Sequence, residues 1–177
     1  MKLFLFFVAS LAPISVFADS YKKTDVVLQE IVVANVWSDE PACHVSFPVR
    51  VQKCTSKGCE FAAPKTSSLT TVWLNFSCLP ASAPTGFENQ QEGEEVFPVQ
   101  GPNARGSVSL MDNPVPEDNE PVRELSFCLF GERTNFCGWA KTYVLKDGKK
   151  GDVSGEIVQF VKSIILMGEN VPSRNDR

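Results

Sequence analysis

The chain has 177 residues, 43% of them hydrophobic, with 17 Lys and Arg against 21 Asp and Glu and a single His, giving a formal net charge of −4. That balance disfavours nucleic acid as a partner, because phosphate binding calls for a basic stripe, and the one basic cluster, Lys146, Lys149 and Lys150, fits a solvated turn. The length suits one domain with one core.

Residues 1–18 open with one Lys, run through Leu3-Phe4-Leu5-Phe6-Phe7-Val8 and close on Val16-Phe17-Ala18, the pattern of a cleavable export signal. The apolar run is broken by Pro13 and falls short of the roughly 20 residues that a spanning helix needs, so no stable membrane anchor is expected after cleavage. The expected product is residues 19–177, a single β domain with a polar tail from Asn170, in a secreted or periplasmic location.

Val26 to Trp37 is apolar on both faces and predicts a long central strand, or two strands joined by a bend near Glu30. Cys43 to Gln52 alternates: Val45, Phe47, Val49 and Val51 share one face, while His44, Ser46, Pro48, Arg50 and Gln52 share the other. Pro48 cannot donate to a ladder and predicts an edge strand or a bulge. Val72, Leu74, Phe76 and Cys78 repeat the pattern with Asn75 and Ser77 outward, and Asn75-Phe76-Ser77 matches the N-glycosylation sequon. Shorter strands are expected at Glu95 to Val99 and at Ser107 to Met111.

Leu125, Phe127 and Leu129 alternate again and lead through a hairpin into Cys137 to Leu145. For Ser154 to Met167 two readings compete. Ile157, Val158, Phe160, Val161, Ile164 and Ile165 fit a helical face capped by Ser154 and ended by Gly168, whereas β-branched content and the preceding Asp147 to Gly151 turn favour a strand paired with Cys137 to Leu145. We take the strand as the expectation. The fold class is then all-β, an antiparallel sandwich or barrel of roughly seven to nine strands, with a short C-terminal helix as the alternative ending.

Six cysteines in an exported chain predict disulfides. Cys54 and Cys59 bracket a small loop containing Gly58; Cys128 and Cys137 become cross-strand neighbours if the hairpin centres between Glu132 and Arg133; Cys43 is left with Cys78. There is no Cys-x-x-Cys pair to favour zinc or redox chemistry, and no metal or cofactor is expected.

Between Gly86 and Glu124 stand nine acids against Arg105 and Arg123, while residues 125–177 carry eight bases against six acids. The acids fall in or beside two long, Pro-bearing loops, Pro80 to Glu94 and Asp112 to Pro121. Glu88, Glu92, Glu94, Glu95, Asp112, Glu117, Asp118 and Glu120 are accordingly the candidate contacts for a cationic protein partner.

No catalytic motif stands out. Gly151-Asp152-Val153-Ser154-Gly155 with His44 has a loose likeness to the nucleophile turn and His of chymotrypsin-like proteases, but an extra Val separates Asp152 from Ser154 and the chain is short for two barrels. The expected function is an exported, disulfide-stabilised binding protein, inhibitor-like or immunity-like; a surface-assembly or adhesin-like subunit and a small secreted hydrolase are the alternatives.

Overall fold

The computed structural model describes residues 28–48, 53–88, 91–113 and 121–168. The signal segment, Val26 and Val27, Val49 to Gln52, Glu117, Asp118, Glu120 and the polar tail lie outside the described residues.

Ten antiparallel strands form two sheets. The three-stranded sheet has the order β1 (Leu28–Val33), β2 (Cys43–Pro48), β10 (Ile165–Leu166). The other sheet runs β3 (Lys53–Thr55), β4 (Gly58–Ala62), β5 (Thr71–Pro80), β9 (Thr134–Val144), β8 (Val122–Phe130), β7 (Arg105–Asn113), β6 (Glu94–Gln100). Strands account for 54% of the described residues, among which there is a single α-helix, α1 (Ser154–Ser163), before β10.

Period-two alternation sets the faces of the large sheet. In β5, Val72, Leu74, Phe76 and Cys78 are buried, whereas Thr71 and Trp73 are exposed and Asn75, Ser77 and Leu79 half-buried. Leu125, Phe127 and Leu129 of β8 and Phe136 and Ala140 of β9 continue the inner face. Val45 and Phe47 of β2 join the same core cluster, as do Ile157, Phe160, Val161 and Ile164 of α1 and its C-terminal end. Phe160 packs edge-on against Phe47 at 5.1 Å and Phe61 at 5.4 Å between ring centroids, and so ties helix, small sheet and large sheet at one point.

All three expected disulfides form. Cys54–Cys59 staples β3 to β4 and Cys128–Cys137 staples β8 to β9 at directly opposed positions, with Cα atoms 4.0 Å apart in the second. Cys43–Cys78 joins β2 to β5 and so crosses between the sheets. Close approach of strands is bounded by Gly138, where a Cβ would overlap the Asn75 carbonyl oxygen and the Phe127 ring.

Several expectations are corrected. Residues 154–163 are helical, not a strand, because the spacing of Ile157, Val158, Phe160 and Val161 turns one apolar face onto the core, and that burial outweighs the weak helix propensity of β-branched residues. The turn before it is a pair of 3-10 turns rather than a hairpin. Ser154 is the first helical residue rather than the cap; the Asp152 carboxylate accepts its N–H at 2.8 Å, and Gly168, with φ 71°, follows β10 instead of ending the helix.

β1 is an edge strand among the described residues, not a central one: Ile31 and Val33 are buried, while Leu28 and Val32 are exposed because no described layer covers the outer face of the small sheet. β2, in contrast, is the middle strand. Pro48 is tolerated there because it ends the strand, pairing with Leu28, whereas β10 reaches only Val45 and Ser46. Asn103 in the β6–β7 turn secures β10 by donating to the Leu166 carbonyl at 2.7 Å and accepting its N–H at 3.0 Å.

Candidate binding face on the large sheet

The outer face of the seven-stranded sheet carries two adjoining concavities, and strand register explains why they adjoin. Across the sheet Gly58 pairs with Asn75, Asn75 with Trp139, Trp139 with Ser126, and Ser126 with Ser109. One step along, Lys141 pairs with Glu124, Glu124 with Met111, and Met111 with Glu94. Each row lies on one face of the pleat.

The first concavity, about 190 Å³, is acidic. Its floor is Ser109, Met111, Glu124 and Ser126 of β7 and β8, its wall is Glu94, and Thr85, Gly86, Phe87 and Gln91 of the preceding loop close over it. The loop is shaped locally. Thr85 donates from its N–H and hydroxyl to Glu88 Oε1 at 3.0 and 2.9 Å, Gly86 takes the left-handed turn conformation at φ 87°, and Gln91 N–H donates to Glu94 Oε2 at 2.9 Å. Hydrogen bonding from the Thr85 backbone holds the Glu88 carboxyl below the usual carboxylate range.

The candidate acids separate into distinct roles. Glu94 lines the concavity, joined by Glu124. Glu95, one residue along β6, pairs with Leu110 and belongs to the opposite face. Glu88 braces its own loop and Glu92 is exposed beside it. Asp112 is taken up by Arg123, whose Nε and Nη2 donate to its two oxygens at 2.6 and 3.0 Å. That hydrogen-bonded pairing lowers the Asp112 carboxyl and raises the Arg123 guanidinium. The Arg123 guanidinium also lies 3.8 Å from an Asp152 oxygen and 5.3 Å from the centre of the Tyr143 ring. Burial pushes the Tyr143 hydroxyl up.

The second concavity, about 250 Å³, is aromatic. Trp73 and Trp139 border it with Leu69, Thr71, Val72, Asn75 and Lys141. Both indoles are exposed, 40% and 48%. Trp73 is outward for the same reason as Asn75, two residues along one strand, so the alternation of Val72 and Leu74 carried a signal for it, whereas Trp139 is brought beside them by the β5–β9 register between strands distant in the chain.

The protease-like likeness dissolves in three dimensions. His44 sits on β2 opposite Val32 in the small sheet. Ser154 is buried; its hydroxyl donates to Asp152 and lies 2.8 Å from the Thr142 hydroxyl, which in turn donates to the Arg123 carbonyl. All six cysteines are consumed in disulfides and so offer no thiolate to a metal.

No protein-family model, curated protein or solved structure matches the chain. Fold and bridges therefore define its class, a disulfide-rich all-β protein of two antiparallel sheets. Three disulfides mark a chain that matures where thiols are oxidised. No described helix is long and apolar enough to cross a membrane.

Proposed function

We propose that this protein is an exported binding domain, inhibitor-like or immunity-like and secreted or periplasmic after removal of residues 1–18, that engages a cationic protein partner at Glu94 and Glu124. The observation that carries this reading is the convergence of those two carboxylates on one concavity whose other walls include Phe87 and Met111. A Lys or Arg side chain has the matching chemistry, an apolar stem under a charged head. The carboxylates also steer a cationic partner in, an effect that salt screens.

The test is capture on immobilised protein from the extracellular or periplasmic fraction, paired with titration of a tetraarginine peptide. Binding at low salt that falls as salt rises, and is lost in the Glu94→Gln/Glu124→Gln double variant, supports the reading. Retention of nothing by the wild type, or equal retention by the double variant, overturns it.

A second reading, a surface-assembly subunit, draws on β1. Its edge position and its exposed Leu28 and Val32 are features that strand addition uses. It predicts self-association that a Val32→Lys substitution abolishes in sedimentation analysis.

A further inference from the structure

We propose that the cleft between Trp73 and Trp139 is a saccharide-binding site. This goes beyond the acidic concavity and does not rest on it.

Two large indoles, 40% and 48% exposed, border one concavity on one sheet face, and it is such adjoining aromatic surface, not an exposed ring standing alone, that marks a ligand site. Their placement is fixed by backbone geometry. Trp139 is directly opposite Asn75, whose side-chain amide donates to the Trp139 carbonyl at 3.5 Å, and Trp73 is two residues from Asn75 on the same face. Gly58 of the neighbouring strand sits beside Trp73: a Cβ there would overlap the Leu74 carbonyl oxygen and come within 2.9 Å of the indole nitrogen. Trp73 is held in the ladder by Glu60 of β4 and Trp139 by Asn75 of β5 and Ser126 of β8, so the platform is preorganised, which lowers the ordering cost of binding.

The lining selects the ligand class. Indole faces favour a flat array of C–H groups, while the rim carries an amide that both donates and accepts at Asn75 and a hydroxyl at Thr71, with Lys141 beside them. A purely apolar ligand would leave that polar rim desolvated. A pyranose ring satisfies both halves, stacking one C–H face on indole and turning its hydroxyl edge to Asn75 and Thr71. The concavity of about 250 Å³ is open to solvent along the sheet, which suits a segment of a longer glycan rather than an enclosed small molecule.

The experiment uses full-length protein exported into an oxidising compartment of a host that does not N-glycosylate, titrated to millimolar concentration with cellotetraose, chitotetraose, mannotetraose and xylotetraose. Indole N–H signals are followed by NMR, with each Trp assigned from its Phe variant. Trp37, exposed between β1 and β2, is the internal control. At least one sugar should shift the Trp73 and Trp139 signals saturably and leave Trp37 in place. Trp73→Ala and Trp139→Ala should each weaken binding by about tenfold or more, and Trp73→Phe should retain part of it. Because both rings are on the outer face, circular dichroism of the Ala variants should match the wild type. The proposal fails if no sugar moves the two indoles, if the Ala variants bind as well as the wild type, or if Trp37 shifts equally. It also fails if protein from a glycosylating host carries a glycan on Asn75 that fills the cleft, since the indoles would then serve the protein's own modification.

Discussion

Arg123 holds Asp112 by two parallel hydrogen bonds, from Nε at 2.6 Å and from Nη2 at 3.0 Å, and thereby pairs off one carboxylate of the acidic run. The same guanidinium reaches Asp152 at 3.8 Å, and Asp152 receives the first helical N–H of α1. A residue in the charge-rich middle of the chain thus helps position the start of α1.

The pair makes a pH prediction. Asp112 has its carboxyl lowered in the folded state, so its contribution to stability is present above the unfolded carboxylate range and is lost as pH falls through the folded value. Asp112 is about half exposed, its side chain at 47%, so solvent screening limits the effect. Asp112→Asn should cost about 0.5–1 kcal/mol at neutral pH, and the gap to the wild type should close below about pH 4, as read by urea unfolding across pH.

Cys43–Cys78 should matter most among the three bridges. It closes 35 residues and joins the sheets, whereas Cys54–Cys59 closes 5 within one hairpin. Loop-closure entropy gives about 4 kcal/mol for the first and about 2 for the second. Replacing each pair by Ala and comparing urea midpoints should reproduce that order; equal losses would show that the inter-sheet bridge adds no special restraint.

Phe160→Ala should destabilise the fold by about 3–5 kcal/mol, since the ring meets Phe47 and Phe61 from two different sheets and its removal leaves a cavity at their junction. Thermal unfolding should show the loss, whereas Gln159→Ala, on an exposed position of the same helix, should change stability by less than about 0.5 kcal/mol.

Partner association through the acidic concavity should be governed by its on-rate. Glu124→Gln should slow association with a cationic partner and flatten its dependence on ionic strength, while Glu95→Gln, on the opposite face, should leave both unchanged in stopped-flow measurements.

Much of the fold was legible in the chain because period-two burial is a local signal: Val72, Leu74, Phe76 and Cys78 had to share a face wherever their strand lay. The disulfides were legible because spacing bounds Cα separation, and the hairpin register put Cys128 opposite Cys137. Ser154 to Met167 was not, since β-branched residues speak for a strand while their three-to-four spacing speaks for a helix, and only the place in the core between Phe47 of the small sheet and Phe61 of the large one decided between them. Pro48 misled for a related reason: edge or centre is a property of neighbours, and β10 stops before reaching it.

The candidate site divides along the same line. Sequence by itself determined a negative middle region, outward positions for Asn75 and Ser77, and an oxidised β scaffold, because charge, alternation and cysteine spacing are carried by near neighbours. Tertiary structure alone decided that Glu94 and Glu124 share a concavity while Glu95 and Asp112 do not, and that Trp139 stands beside Asn75. Those juxtapositions depend on pairing between strands distant in the chain, where a shift of one residue would turn every side chain to the other face.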